Sequence, residues 1–296
     1  MFNGLSAFPL TPMSGESVDL DAVARLVARA AQSGVDSLGV LGSTGNYAYL
    51  SREERRMVLE TSVEAAGGVP VLAGVGALRT RDVLTLAGDA HTAGASALLL
   101  SPVSYQRLSE AEVFGLFEDV ASESDLPIVV YDNPGTTGFT FTDELHGRIA
   151  RIPGITSIKI PPPADSDIAT RLGKLRAVLP QQTSVGISGD WIAAEALLAG
   201  CDLWYSVIGG ILPRQAREIV DHALAGRRDD AMAASAALEP LWSLFRTYGS
   251  LRVTAALAEE LRLIPSSALP LPLRGLDPEG RSRVADAIRQ CGLETT

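Results

Sequence analysis

Residues Ala97–Val103 read ALLLSPV, an apolar run that neither alternates with polar residues nor lasts long enough for a helix. Such a run suits a strand covered on both faces, the environment of a parallel sheet flanked by helices. Shortly after it Ser109 stands three residues before Glu112, a capping-box pattern ahead of apolar residues at helical spacing. Strand followed by helix makes one β/α unit. The same unit recurs at roughly 25-residue spacing in both directions: LSAF, SLGVLG and VPVLAGVG precede it, and PIVVYDN, ITSIKI, TSVGIS and LWYSVIG follow. Ser51 with Glu54 repeats the capping pattern, and Thr80 and Asp190 stand at further expected N-caps.

Eight such units favour a closed (β/α)8 TIM barrel over an open doubly wound sheet. The barrel is expected over residues 1–225. After the polar break AGRRDDAM, helices are expected over Ala231–Tyr248, Leu251–Leu261 and Pro278–Gln290. Residues 226–296 are too few to bury a core of their own comfortably, so they are expected to form a helical extension packed on the barrel.

The totals exclude several functions. A formal charge of −10 over 296 residues argues against nucleic acid or an anionic membrane as partner. The start of the chain lacks a basic segment leading into a long apolar one, and no stretch approaches the roughly 18 apolar residues of a membrane helix, so a cytoplasmic protein is expected. Cys201 and Cys291 lack metal-ligand spacing and are expected as free thiols, and His91, His146 and His222 are too few and scattered for a zinc site or a histidine-based triad. GVGALR resembles part of a dinucleotide fingerprint but lacks its third glycine and the acidic residue that should follow.

In such a barrel the reactive groups lie near the C-terminal ends of the strands. Three segments meet that condition. Lys159 lies inside ITSIKI, which stops at three prolines, and it is one of only two lysines among 25 basic residues. A strand lysine can simply pair with a carboxylate. Its neighbours Ile158, Ile160 and Pro161 supply none, and burial disfavours the charged amine; a less basic amine can attack a ketone and form a Schiff base. Tyr131, ending PIVVYDN, could be a core residue with its hydroxyl at the surface or the proton donor that imine formation requires. GSTGN (Gly42–Asn46) is a tight turn whose Ser43, Thr44 and backbone N–H groups could also grip a carboxylate and relay protons to Tyr131.

From FPLTPM through GSTGN, LLLSPV, YDNPGTTG, SIKI and ISGD to LPLRGLDPEGR, the chain resembles the dihydrodipicolinate synthase and N-acetylneuraminate lyase family of class I aldolases. The resemblance implies a (β/α)8 barrel with a C-terminal helical extension, usually a homotetramer, otherwise a dimer, that binds pyruvate or another 2-keto acid as an imine without metal or organic cofactor. It implies Lys159 as the Schiff-base lysine, Tyr131 as proton donor, Ser43 and Thr44 as the carboxylate-binding and relay pair, and Tyr205 where a backbone contact to pyruvate comes from strand eight. Departures from the family pattern fall on the second-substrate side. Thr136 replaces the arginine that holds a carboxylated aldehyde, Asn46 replaces a glutamate, and PVSYQ places Tyr105 one position late for its intersubunit relay role. KIPPPA stiffens the loop beside Lys159. The chemistry type is therefore expected to hold with an altered acceptor: a sugar-acid aldolase or dehydratase, or an N-acetylneuraminate-type lyase, before a dihydrodipicolinate synthase. The loss of the arginine favours a neutral or hydroxylated acceptor. The alternative is a barrel that binds a keto acid or sugar acid without turnover.

Overall fold

The computed structural model describes residues 2–164, 167–265 and 268–293. Eight parallel strands close a barrel: β1 (Gly4–Ala7), β2 (Ser37–Val40), β3 (Val71–Gly74), β4 (Ala97–Leu100), β5 (Ile128–Tyr131), β6 (Ile155–Ile160), β7 (Ser184–Ile187) and β8 (Leu203–Ser206). Closure runs through β1, which pairs with β8 from Gly4↔Leu203 to Ala7↔Ser206 and with β2 at Ser6↔Ser37. Each strand overlaps an expected apolar run, and closure leaves no unpaired edge. Helices α1 (Leu20–Gln32), α2 (Arg52–Ala65), α3 (Thr80–Ala93), α4 (Glu110–Glu123), α5 (Asp143–Ile149), α6 (Ile168–Val178), α7 (Ala193–Leu198) and α8 (Pro213–Leu224) alternate with the strands.

Two of the expected helix starts form as written, since Ser51 and Ser109 make reciprocal capping boxes with Glu54 and Glu112. Two others do not. Thr80 is the first residue of α3, with Arg79 in the cap position. Asp190 opens a short 3-10 turn after Gly189, and its carboxylate is used elsewhere.

Strand side chains alternate between two cores. Outward residues such as Leu98, Val130, Ile158 and Ile160 pack under the helices, whereas Leu72, Leu99, Val129, Leu203 and Tyr205 join Phe8 in filling the barrel. Lys159 sits between the outward Ile158 and Ile160, so the period of the strand turns it inward. Below it Ser157 also faces in, with its hydroxyl 2.7 Å from that of Tyr205.

The C-terminal part holds α9 (Arg228–Ala236), α10 (Glu239–Tyr248), α11 (Ser250–Glu260) and α12 (Pro278–Gln290). The single helix expected over Ala231–Tyr248 is two. Pro240 lies in the first turn of α10, where its missing N–H is tolerated; continued from α9 it would remove an internal hydrogen bond. α9 packs on α8 and α7, and α10 reaches the turn that carries Asp190. Among the described residues no helix is long and apolar enough to cross a membrane.

Candidate active site

A cavity of about 560 Å³ opens at the C-terminal ends of the strands, with Lys159 among its lining residues. One wall comes from the loops after β2 and β5 and is polar: Ser43, Thr44, Asn46, Tyr47, Asn133 and Thr136 line it together with Tyr131. The opposite wall comes from the loops after β6 and β7 and from the C-terminal helices. It presents Pro161, Pro162, Trp191, Phe245, Leu251 and Leu273 beside the polar Ser188, Asp190 and Ser250, with Arg252 as its cation.

Lys159 is 4% exposed, and while its carbonyl accepts from Asp132 N at 3.0 Å, its amine makes neither a hydrogen bond nor an ion pair among the described residues. Its Nζ lies 3.7 Å from the centroid of the Phe8 ring and within 4.9 and 5.5 Å of the Tyr131 and Tyr205 centroids. Aromatic faces attract an ammonium but replace little of its hydration. Burial therefore pulls the amine down to about 7, opposed by the negative charge of Asp190. That carboxylate does not act as a salt-bridge partner. It accepts from Trp204 Nε1 at 2.8 Å, Val207 N at 3.2 Å and Ile208 N at 2.7 Å, and burial raises it to about 6 despite these bonds. Asp190 thus ties the β7 loop to the end of β8 and acts on the amine only through space.

The register between β5 and β6 pairs Tyr131 with Lys159, which brings two inward side chains side by side on the barrel. The Tyr131 hydroxyl is 2.9 Å from Ser43 Oγ and accepts from Asn133 Nδ2 at 2.9 Å. With Asn133 donating, the phenol is free to give its own proton to Ser43 or to a bound oxygen. Thr44 is buried on the same wall. Asn46 has a left-handed backbone (φ 55°) and donates to Thr11 O at 3.4 Å, while its Oδ1 has no partner among the described residues. Thr136 lines the cavity with its Oγ1 turned back on the Asn133 carbonyl.

Two expected site residues lie apart from this group. The Tyr205 side chain is wholly buried in the barrel below Lys159 and does not line the cavity, which leaves only its backbone for the expected contact; Tyr105 is 91% exposed and does not line the cavity either. None of the three histidines reaches the cavity: His146 is buried against Asp132 at 3.4 Å and stacked on Phe141. Among the described residues no cluster of three or more His, Cys, Asp or Glu side chains could hold a metal ion. Sequence reasoning missed Phe8, Asn133, Asp190 as a tether, and Tyr47. The segments FPLTPM, YDN, ISGD and GSTGNY all end or follow barrel strands, so position alone could have nominated them.

A parallel barrel with an unpaired amine at its active rim, flanked by a phenol and a hydroxyl, is the architecture of a Schiff-base-forming lyase. Comparison with known proteins agrees. Residues 1–291 match the dihydrodipicolinate synthetase family, and the chain belongs to that family; it is a lyase of the aldolase type. It is 33% identical to 4-hydroxy-tetrahydrodipicolinate synthase of Methylococcus capsulatus, over 99% of this chain and 100% of the relative. The fold superposes with a TM-score of 0.95 and 46% identity on the crystal structure of dihydrodipicolinate synthase from Agrobacterium tumefaciens, over 98% of each chain. A TM-score of 0.91 at 26% identity, over 99% of this chain and 100% of the other, relates it to the Acinetobacter baumannii dihydrodipicolinate synthase solved with pyruvate.

Proposed function

We propose that this lyase holds pyruvate or a similar 2-keto acid as an imine on Lys159 and joins it to, or releases it from, a carbonyl acceptor. The observation that carries the reading is the buried, unpaired amine beside the Tyr131–Ser43 hydrogen bond. At neutral pH a large fraction of that amine is uncharged. Its lone pair attacks the keto carbon and the keto oxygen takes a proton from Tyr131; the proton shed by the attacking nitrogen returns through Tyr131 to the resulting hydroxyl, which leaves as water as the protonated C=N bond forms. Loss of a proton from the adjacent carbon then gives an enamine whose carbon attacks the acceptor. Ser43 and Thr44, with the backbone N–H groups of their turn, hold the keto-acid carboxylate.

Incubation with pyruvate and borohydride, followed by peptide mapping, tests this reading. A reduced adduct on Lys159 that vanishes in Lys159→Ala is expected; an unmodified Lys159 would overturn it.

The acceptor is read as different from that of the family's true dihydrodipicolinate synthases. The position of their carboxylate-binding arginine is Thr136, and the guanidinium of this cavity is instead Arg252, on α11 at the opposite wall. Arg252 Nε donates to Arg274 O at 3.1 Å, and the side chain forms no ion pair among the described residues. Pro161, Trp191, Phe245 and Leu251 supply apolar surface on that side. An aldehyde with an apolar body and an anionic far end fits this wall better than the neutral or hydroxylated acceptor that the missing arginine alone suggests. Tyr105, exposed on the surface, is read as a contact for a second copy of the chain, apart from this cavity.

A further inference from the structure

The GVGALR segment that resembles a nucleotide loop is built around a tyrosine. A Cβ on Gly74 would stand 1.8 Å from Leu41 O; one on Gly76 would stand 2.3 Å from Ser101 Oγ and 3.2 Å from Tyr47 Cε2. Bare backbone here lets the loops after β2, β3 and β4 close on one another. The freed carbonyls are then used: Arg55 of α2 donates to Gly74 O at 2.8 Å and to Gly76 O at 3.1 Å. The guanidinium is buried, drops to about 10 through desolvation, and lies 5.3 Å from the centroid of the Tyr47 ring. The Tyr47 hydroxyl is 3.1 Å from Ser101 Oγ. Tyr47 lines the catalytic cavity, one short turn after Ser43 and Thr44.

A phenylalanine would fill the same space if only packing mattered. Burying a guanidinium and a serine hydroxyl around one ring is costly, and the cost secures a phenol hydroxyl in one place. Burial raises the Tyr47 phenol above its usual value, and the nearby Tyr131 adds to the effect, so it stays protonated at neutral pH.

We propose that Tyr47 is the second acid–base hydroxyl of the cavity, serving the acceptor's oxygen while Tyr131 serves the imine. This rests on the imine reading above. In the condensing direction a C–C bond forms between the enamine carbon and the acceptor carbonyl carbon. The π pair of the C=O bond moves to oxygen, which takes the Tyr47 proton, and the proton released on enamine formation balances it. In cleavage Tyr47 takes that proton back. Gly76 and Arg55 are positioning elements for this group.

Tyr47→Phe keeps the ring over Arg55 and separates the two half-reactions. Three readouts are compared with wild type: borohydride trapping of pyruvate, exchange of the pyruvate methyl protons in D2O followed by NMR, and condensation of pyruvate with succinic semialdehyde, glyceraldehyde or benzaldehyde, whichever the wild type uses fastest. Trapping and methyl exchange should stay within about twofold while kcat for condensation falls on the order of 10²-fold, the usual size of a general acid's contribution. Ser101→Ala should show the same split to a smaller degree. Unchanged condensation in Tyr47→Phe, or methyl exchange falling by the same factor, would overturn the proposal. So would a wild type that traps pyruvate yet condenses it with none of the three. A wild type that traps nothing at Lys159 removes the imine reading and this proposal with it.

Discussion

The two walls of the cavity are made differently. The wall after β2 and β5 is held by hydrogen bonds: Tyr131 to Ser43, Asn133 to Tyr131, Tyr47 to Ser101, with Asn46 in a left-handed conformation. The wall opposite sets apolar surface from Pro161, Trp191, Phe245 and Leu251 beside Ser188, Asp190 and Ser250, with one exposed guanidinium, that of Arg252. The first wall holds its hydroxyls in hydrogen bonds, as proton transfer requires; the second offers apolar surface and an exposed cation, which suits a partner that must enter and leave. Chemistry is assigned to the rigid wall and choice of acceptor to the other.

The largest effect should come from the hydrogen-bonded wall. Tyr131→Phe removes the group that protonates the departing oxygen and strips both Ser43 and Asn133 of their partner. Turnover should fall by roughly 10²–10⁴-fold, and borohydride trapping of pyruvate should slow with it, because imine formation itself needs the proton. A variant that trapped pyruvate at the wild-type rate would move the imine chemistry away from Tyr131 and erase the division between the walls.

The next effect is set by Lys159. Protonated amine cannot attack, and burial lowers its pKa from 10.5 to about 7. kcat/KM for pyruvate should therefore climb with pH and level off above about 7, lying about 100-fold below the plateau at pH 5 because each unit below the pKa costs a factor of ten in free amine. The charge of Asp190 gives a second check. Its negative charge favours the ammonium, so Asp190→Asn should move the acid limb to lower pH. An acid limb near 10 would mean that the amine is solvated and that the aromatic surroundings of Phe8, Tyr131 and Tyr205 do not act on it.

How much of each wall could be read from the sequence follows from its construction. The strands were legible because a strand covered on both faces must be apolar, and ALLL and IVVY are. Lys159 and Tyr131 were legible because each breaks such a run at a strand end, and parallel pairing then places them together. Asp190 was misread. An acid before a helical stretch looks like a cap, and nothing local tells that its oxygens go instead to Trp204, Val207 and Ile208. The break at Pro240 is legible in the sequence, because a proline there can only open a new helix. Tyr47 was hidden beside the more obvious GSTGN, its support coming from Arg55, Gly76 and Ser101 on three other segments. The acceptor wall was the least legible, since Phe245, Leu251 and Arg252 stand far along the chain from Lys159 and only the docking of the C-terminal helices brings them to it.

The smallest predicted effect tests that wall directly. Arg252 is exposed, so its charge is screened and a contact with a bound anion is modest. For succinic semialdehyde as acceptor, Arg252→Ala should raise KM about tenfold, the loss of one charge-assisted hydrogen-bonded contact, with kcat little changed because the residue is remote from the hydroxyls that move protons. Butanal, of the same chain length without the carboxylate, should show no such rise. Arg252→Lys should recover part of the affinity, since an ammonium supplies the charge but not the planar fork. Equal loss for both aldehydes would make Arg252 a structural support for the segment around Arg274, whose carbonyl it holds. The apolar surface would then be the sole source of selectivity, and the acceptor would be a neutral one.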